Sequence, residues 1–593
     1  MNMKIRNILA ASAALCLVQN VASAQNLDPT VVVNKAYEGK LVQVHKPSFE
    51  MAVPDSVTRF DLDFDYLVSD RPYKGSDGFN PYVLTMKPAS MVQEPMQLYL
   101  NAGAGYTLHP TLDVVWSPFR SKVFKMDVYA IHRSYVGDYR SFRPVVPEVG
   151  QTLVVDRWRE SGGDQAHWNG YDLMSRAGVD GRYETASLST GFDVSYYGLA
   201  SKDLWKKRMY DALDVKAGVT SKPGNSSYFK YDVQAAYRFA EDKLKYNTAF
   251  NDYLGEHVFA LDAVLGHVIG EGHQVMFDVN MDLAAYSHSA DTLSSVVSQL
   301  SITPHYVFTK GRWTVDAGLR LAKVMRSESS GGLFGAREQI VYPDVKATYA
   351  AIPDAMRVYA LVGGGNKINT YASLLEKNHH LDPMYGLAGQ GLMDISVERV
   401  SVSLGLEGRI GSIFGYDLQT GYVNYANALL DAVSIVDGYA DGSVQYLPAV
   451  GYSQYQKYFA TLDWRLNNES FRFDGGVTYT YAWGINGEVP LFAPAALTGD
   501  VSFEYNWSRR IYAGIDCEFS TARTGLVKDV TAANAYDAKI PGYADLGVYF
   551  EYACNRVLSV WARGGNLLNM TIQRNPLFAE KGASATVGIC LNL

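Results

Sequence analysis

The residues best suited to chemistry in this sequence are a histidine pair, His379-His380, and the aspartate that follows them at Asp382. Imidazole and carboxylate groups can ligate a metal or act as a base, so this group is the first candidate for a reactive site. Adjacent residues on a strand point to opposite faces and cannot easily share one metal. We therefore expect this segment at a strand end or in a loop, with a structural or solvated role, and we predict no enzyme.

Motifs for metals, cofactors or phosphate groups do not stand out elsewhere. No C-x-x-C or H-E-x-x-H pattern occurs, and because Cys16 lies in an N-terminal leader, only Cys517, Cys554 and Cys590 remain. That odd number, with Cys517 and Cys590 on opposite faces by alternation, predicts no disulfide framework. No helical pattern follows Gly363-Gly364-Gly365, so we expect a bulge, turn or close approach there. We predict no bound metal and no cofactor.

Charged and polar residues recur at every second position of many strand-like segments. Val275–Ala285, Trp313–Leu321 and Phe471–Trp483 each carry an apolar set opposed by a polar set, as expected of a strand with two different faces. We expect the polar members to line a wet interior as a solvated, mutually compensating surface. The functional alternative is a polar pathway, or a surface that grips the N-terminal segment. The lumen-facing candidates are Asp278, Asp282, Asp316, Arg320, Arg472 and Asp474.

The last eleven residues, Ala583–Leu593, alternate between apolar and small or polar side chains up to the final position. A strand at the very end of a membrane barrel must pair with the first strand, because lipid offers no hydrogen-bond partner to an open edge. We predict that it pairs with a strand near Met96–Tyr106. Leu591 and Leu593 should then face lipid, and Cys590 and Asn592 should face the lumen.

Segments of about ten residues separated by turns fill residues 96–593, which predicts about 22 antiparallel strands. A soluble sandwich would also alternate, but aromatic residues at strand ends and the length of the pattern favour an all-β, large transmembrane β-barrel. Short turns such as Thr309-Lys310-Gly311 and Asn467-Asn468-Glu469 should lie on the periplasmic side, with both chain ends. The predicted longer extracellular loops are Val145–Asn169, Ser327–Arg337, Val527–Ile540 and Leu568–Lys581.

Residues 1–24 have the pattern of a secretory signal peptide. Lys4 and Arg6 precede the apolar stretch Ile8–Val18, and Ala22-Ser23-Ala24 provides a small-x-small cleavage site. The apolar stretch is shorter than the roughly 20 residues of a membrane-spanning helix. Residues 25–95 are rich in Asp, Pro and Tyr. We expect them to be an N-terminal extension that lies below the barrel, partly enters the lumen or binds a partner.

The charge balance argues against a nucleic-acid partner. The full chain carries 53 Lys and Arg against 61 Asp and Glu. Loss of Lys4 and Arg6 with the signal peptide leaves 51 against 61, a net charge of −10. Nucleic-acid binding requires a basic surface, whereas 42 tyrosines suit strands and the interfacial belts of a barrel.

The C-terminal region resembles the last two barrel strands of TonB-dependent receptors. The resemblance is carried by Asn566-Leu567-Leu568-Asn569 after the Val557–Gly565 strand, and by Gly582 before the closing strand. Ile540-Pro541-Gly542-Tyr543 before another strand also fits. With Val31–Glu38 and the Asp/Tyr/Pro-rich region after it, the chain is similar to plug-lacking, TonB-dependent-receptor-like barrels of Bacteroidota. The resemblance implies the outer membrane of a Gram-negative bacterium and transport or binding of a small solute.

One departure from those receptors bears on function. They carry a plug domain before the first barrel strand, and residues 25–95 contain no plug-like sequence. This argues against TonB coupling, although Asp28–Val33 superficially resembles a TonB box. The alternative function is a structural or assembly barrel that anchors partner proteins in an outer-membrane complex. The expected partners are outer-membrane lipid and a periplasmic or surface-lipoprotein partner.

Overall fold

The computed structural model describes residues 97–593 except 107–108, 141, 145–153, 156–157, 161–166, 223–228, 247–250, 290–294, 328–339, 354, 384–392, 437–444, 486–490 and 529–534. The signal peptide predicted for residues 1–24 and the extension predicted for residues 25–95 lie outside the described residues. Within the described ranges, no helix is long and apolar enough to cross a membrane.

The described residues form 27 strands and one short helix, α1, at Tyr371–Lys377. The strands are β1 Leu98–Gly105, β2 Thr111–Arg120, β3 Phe124–Arg140, β4 Phe142–Pro144, β5 Val154–Val155, β6 Trp158–Glu160, β7 His167–Glu184, β8 Leu188–Lys202, β9 Lys206–Ser221, β10 Phe229–Tyr246, β11 Asn251–Gly270, β12 His273–His288, β13 Ser295–Lys310, β14 Trp313–Ser327, β15 Val341–Ile352, β16 Met356–Ile368, β17 Ile395–Ile410, β18 Phe414–Val436, β19 Gln445–Asn467, β20 Phe471–Trp483, β21 Leu497–Trp507, β22 Ile511–Ser520, β23 Arg523–Lys528, β24 Ala535–Ile540, β25 Tyr543–Ala553, β26 Leu558–Gly565 and β27 Ser584–Asn592.

Twenty-two of these strands form one closed antiparallel barrel, which confirms the predicted fold class and strand number. Each strand pairs with the next along the chain, except that β3 pairs with β7 and β22 pairs with β25. The barrel closes between β1 and β27, from Tyr99 opposite Asn592 to Gly105 opposite Thr586. The predicted partner of the closing strand near Met96–Tyr106 is therefore confirmed.

The connections differ sharply between the two ends of the barrel. At one end, hairpins turn in two to four residues at most places, for example Gly311-Arg312 between β13 and β14. We call this the short-turn end and the opposite end the long-loop end. The loop predicted at Leu568–Lys581 is observed, whereas Val527–Ile540 is partly wrong because it contains β24. Most of Ser327–Arg337 lies outside the described residues, and Val145–Asn169 overlaps the first residues of β7.

The two faces of the barrel wall differ in polarity, as the alternating pattern requires. On β27 the outward residues Val587 and Ile589 are 63% and 44% exposed, whereas the inward Cys590 is fully buried. Outward aromatic residues flank the short-turn end at Trp313 and Trp507. On β27 the apolar set therefore faces out, and the polar set faces the interior.

Bulges bend the wall where the chain turns toward the interior. Gly363-Gly364-Gly365 lies inside β16, and its pairing with β17 shifts by one residue at this point, so the expected bulge is observed. The β18–β19 hairpin shifts between Tyr425 and Ala428. Beyond that shift, Leu447 on the tip of the hairpin packs against Leu244 and Tyr246 on β10. The hairpin tip therefore reaches across the interior at the long-loop end.

Candidate functional site

Two of the predicted interior residues, Asp278 and Asp316, lie beside one histidine on the inner wall. The ring of His305 lies between two carboxylates, with Nε2 3.2 Å from Asp278 and Nδ1 2.7 Å from Asp316. Arg320, four residues after Asp316 on β14, forms an ion pair of 3.1 Å with Asp344. Each of these four charged side chains, Asp278, Asp316, Arg320 and Asp344, thus has a polar partner within the wall.

The remaining candidates lie on other strands. Asp282 is half-buried on β12 and lies opposite Gln299 in the sheet register. Arg472 donates to Asp474 at 2.7 Å on β20, and Arg465 of β19 approaches the same carboxylate at 3.4 Å. Because β12–β15 and β19–β20 are separate arcs of the barrel, the six candidates do not form a single site.

The inner wall also carries a row of acidic residues that sequence reasoning missed. Their strands bring them side by side in register, with Gly476 at the matching position on β20. We call them the carboxylate row: Glu407, Asp417, Asp463, Asp500, Glu518 and Asp545. Each residue is visible in the sequence as a polar member of an alternating strand, but only the register between strands shows that they are neighbours.

The ends of the carboxylate row have cationic partners, whereas within the described residues neither Asp463 nor Asp500, at its centre, forms an ion pair. Arg357 pairs with Glu407 at 2.8 Å, and Arg574 pairs with both Glu518 and Asp545. A methyl group on Gly476 would lie 2.6 Å from Asp463 Oδ1 and 3.6 Å from Asp500 Oδ1, so these carboxylates lean toward each other above the glycine. In the described part of the chain, no group of three ligand-type side chains could hold a metal ion.

A loop between β16 and β17 enters the barrel at the long-loop end. Helix α1 begins after Thr370, whose hydroxyl accepts the backbone N–H of Ser373 at 3.2 Å. This satisfies one of the free donors at a helix start. The helix is too short to persist alone, so its stability depends on the packing of its buried face. Leu374 and Leu375 pack against the inner wall, and Val450 of the β19 tip belongs to the same cluster.

Buried charges fasten this loop to the wall. Arg208 of β9 forms an ion pair of 3.1 Å with Asp242 and also donates to the backbone carbonyls of His379 and Leu381. The hydroxyl of Tyr371 donates to the same Asp242 carboxylate. The side chains of Arg208 and Asp242 are 1% and 0% exposed. A buried guanidinium needs all of its donors satisfied, and the loop carbonyls supply acceptors that the wall lacks.

The histidine pair lies in this loop, directly after α1. His379 Nε2 is 3.0 Å from Asp172 of β7, and the ring of His380 stacks on Phe578 at a centroid distance of 3.7 Å. Burial acts to lower the pKa of His379, but the Asp172 carboxylate outweighs it and raises the pKa above its usual value. Burial, together with the charge of His379, holds the pKa of His380 well below its usual range. Each ring therefore holds the loop through a different contact, His379 with Asp172 and His380 with Phe578.

Other segments at the long-loop end join the same assembly. Asp431, on the β18 tip, pairs with Lys377 of α1 at 2.8 Å and with Arg523 of β23 at 2.5 Å. Arg523 also donates to the backbone carbonyl of Arg574 at 2.6 Å. We call these interlocked segments the mouth cap: residues 369–383, 428–434, 447–452, 491–496, 523–528 and 566–583.

The mouth cap covers only the long-loop half of the interior along this part of the wall. On β9 the inward side chains are buried from Lys206 to Asp214, and Lys216, the next inward residue, is exposed. On β10 the inward side chains are buried from Tyr246 to Ala240, whereas Gln234, further toward the short-turn end, is exposed. On β9 and β10 the inner wall is therefore covered beneath the long loops, whereas Lys216 and Gln234, further toward the short-turn end, are accessible to water.

Comparison with known proteins identifies the fold. No protein-family model matches the sequence, and no curated protein matches it. Among solved structures, the FrpB iron transporter from Neisseria meningitidis is similar with a TM-score of 0.60 at 10% identity, over 85% of this chain and 82% of that chain. The chain shares the barrel fold of that transporter.

Two further structures agree with this assignment. The ferric enterobactin receptor PfeA from Pseudomonas aeruginosa has a TM-score of 0.55 at 10% identity, over 84% of this chain and 80% of that chain. The copper transporter OprC has a TM-score of 0.58 at 11% identity, over 84% and 80% of the two chains. These structural neighbours are TonB-dependent outer-membrane receptors.

Proposed function

We propose that this protein is an outer-membrane barrel that transports or binds a small solute, with the mouth cap as its gate. The observation that carries the proposal is the polar inner wall beneath the mouth cap, where Lys216 and Gln234 are exposed to water, inside a barrel fold shared with outer-membrane receptors. The outward apolar residues would contact lipid, and Trp313 and Trp507 would lie at the membrane interface. We propose no enzymatic activity, since the histidine pair is engaged in loop contacts.

The proposal includes an orientation. The short-turn end would face the periplasm and the mouth cap the outside, as in bacterial barrels with short periplasmic turns. Cys554 provides a test because it is exposed in the turn between β25 and β26, at the short-turn end. A membrane-impermeant maleimide should label Cys554 in lysed cells and leave it unlabelled in intact cells. Equal labelling in both would contradict the orientation, and the Cys554→Ser variant provides the background.

Conductance in planar bilayers tests the gate. We expect the intact mature chain to pass little current, because the mouth cap fills the long-loop half of the interior. Asp431→Asn removes the carboxylate that joins Lys377 to Arg523, so we expect this variant to show more frequent or larger openings. Asp138→Asn, a change of the same charge away from these contacts, is the matched control. No current from the wild type or the Asp431 variant would overturn the transport proposal.

A second candidate function is supported by the fastening of the mouth cap. Buried ion pairs and stacked rings such as His380 on Phe578 suit a permanently closed barrel that anchors partner proteins. A periplasmic or surface-lipoprotein partner would then copurify with the barrel from the native membrane. A barrel that stays closed in bilayers and copurifies with a stoichiometric partner would favour this alternative.

The N-terminal residues extend the proposal. We propose that residues 1–24 are removed after Ala24 and that residues 25–95 act at the short-turn end, without energised coupling to TonB. N-terminal sequencing of the mature protein tests the cleavage site. Conductance of a chain lacking residues 25–95 tests the second part, and an increase would assign that segment a gating role.

A further inference from the structure

Three lysines lie side by side on the outer wall of the barrel at its long-loop end. Lys202 ends β8, Lys207 lies at the start of β9, and Lys245 lies near the end of β10. In the sheet register Lys202 is opposite Lys207, and Lys207 is opposite Lys245. Each lysine lies an even number of positions from an outward residue of its own strand, such as Tyr196 on β8 or Met209 on β9. All three side chains therefore lie on the outer face. We call them the lysine row.

Such a row is unfavourable without an anion. Side chains directly opposite on neighbouring strands have Cβ atoms about 5 Å apart, and like charges at that spacing destabilise the sheet. The flanking positions are Tyr171 beside Lys202 and Asn251 beside Lys245, so neither end of the row provides a carboxylate. Within the described ranges, no ion pair involves a member of the row.

The nearest outward carboxylates are engaged elsewhere. Glu241 lies on β10, four residues before Lys245 and therefore below the row. It pairs with Lys243 at 2.8 Å. Asp211, opposite Glu241, accepts a hydrogen bond from Tyr196 at 2.5 Å. Both carboxylates therefore have partners outside the lysine row, which leaves three adjacent ammonium groups above them.

The level of the row on the barrel indicates what could supply the anion. Below the carboxylates, the outward residues Leu213, Phe239 and Val215 form an exposed apolar belt that is 36–45% exposed. Tyr196 and Tyr253 lie at the upper edge of this belt, where tyrosine is favoured at a membrane interface. The lysine row therefore lies just beyond the apolar region, at the height of lipid headgroups.

We propose that the lysine row binds the phosphate group of a membrane lipid in the leaflet that surrounds the long-loop end. The proposal rests on the membrane placement given under the proposed function. Three adjacent ammonium groups supply several donors to phosphate oxygens, and the tyrosine and asparagine at the ends add neutral donors. The acyl chains of the same lipid would lie along the apolar belt below. The site would fix this wall in the leaflet and has no part in the lumen.

The test compares lipid binding by the purified, detergent-solubilised full chain and two double variants of equal charge change. Lys207→Gln/Lys245→Gln removes the centre of the row, whereas Lys122→Gln/Lys310→Gln removes two exposed lysines at the short-turn end. The probe is diphosphorylated lipid A, with its dephosphorylated form as the neutral lipid. Each lysine near an anionic surface contributes about a fivefold gain in affinity, so we expect about a thirtyfold loss for the first variant. Binding should also weaken with salt.

Further arms identify the source of the anion. Lys207→Arg/Lys245→Arg should retain lipid binding, which separates charge from folding. Equal binding of the phosphorylated and dephosphorylated lipids would overturn the proposal, as would equal affinity losses in the two glutamine variants. Displacement of the lipid by an equimolar amount of inorganic phosphate would replace a lipid site with a free-phosphate site. Conductance is measured in a separate experiment. A barrel that passes no current but binds the lipid would contradict only the transport proposal.

Discussion

The indole N–H of Trp561 donates to the side-chain oxygen of Asn101 at 2.6 Å, across the seam where the barrel closes. Trp561 is on β26 and Asn101 on β1, so the ring spans the closing strand β27 between them. Its path is open because Gly588 of β27 and Gly103 of β1 have no side chains beneath the ring. The Asn101 amide in turn donates to Asp113 at 3.2 Å. The seam is therefore fastened by an inward side-chain contact as well as by backbone pairing.

Filling the space beneath the ring should weaken the seam. A methyl group on Gly588 would lie 2.3 Å from Trp561 and 2.4 Å from the backbone oxygen of Ala102, so the ring must leave its place. We expect Gly588→Ala to lower the free energy of unfolding by about 1–3 kcal/mol, the usual cost of overpacking. Heat-dependent mobility of the folded barrel in detergent gels measures it. Gly191→Ala is the control, since its methyl group would meet only the Gly181 oxygen at 3.8 Å. Equal shifts in both variants would contradict the prediction.

The fold could be predicted from the sequence because each barrel strand shows its two faces locally. The alternation of Ala583–Leu593 predicted both the closing strand and the sides of Cys590 and Val587 that the structure has. The carboxylate row could not be predicted in this way, because Asp463 and Asp500 come to face each other across Gly476 only through the register of β19, β20 and β21. No local pattern encodes that register when every strand alternates alike.

The mouth cap could not be predicted either, and the reason is different. Its stability comes from contacts between segments far apart in the chain, such as Arg208 with the carbonyl of Leu381. The histidine pair was correctly expected outside a strand, but nothing near it in the sequence indicates Asp172 or Phe578 as its partners. The sequence signal was limited to an interruption of the strand pattern between β16 and β17.

Loss of Arg208 should loosen the mouth cap. Arg208→Met would leave the fully buried carboxylate of Asp242 without its cation, which costs about 3–5 kcal/mol when one partner of a buried pair is removed. We expect lower thermal stability and faster proteolysis of the loop. Arg208→Met/Asp242→Leu should recover most of the loss, since no unpaired charge remains. Arg182→Met removes a 3.8 Å pair with Glu184 whose arginine is 63% exposed, and we expect little effect. A loss as large in Arg182→Met would contradict this account.

The contact between His379 and Asp172 should make attachment of the mouth cap depend on pH. Burial acts against the charged ring, but Asp172 prevails and raises the pKa of His379; Glu580 adds to this effect and Arg208 opposes it. A raised pKa means that the contact stabilises fully below the usual histidine value, about 6.5, and is lost as pH rises through the higher folded value. We expect amide hydrogen exchange in α1, corrected for its intrinsic pH dependence, to accelerate as the pH rises above about 6.5.

Two histidine variants separate this contact from general pH effects. His379→Gln should flatten the pH dependence of exchange in α1, because it removes the imidazole that contacts Asp172. His257→Gln changes a histidine on the outer wall that contacts Tyr237 at 2.8 Å, and we expect it to leave that dependence unchanged. An unaltered pH profile in His379→Gln would assign the effect to another group.

The carboxylate row should give the interior a preference for cations. Asp463 and Asp500 converge above Gly476 at the centre of the row, and neither carboxylate forms an ion pair in the described part of the chain, so a passing ion meets negative charge there. In water, a unit charge at about 4 Å changes an ion's energy by about 1 kcal/mol, which limits the effect to about fivefold for each carboxylate. In the Asp431→Asn background, Asp463→Asn/Asp500→Asn should therefore move the reversal potential in a KCl gradient toward zero. Asp211→Asn/Glu241→Gln makes the same charge change on the outer wall and should not move it, so equal shifts in both would exclude the row as the source of selectivity.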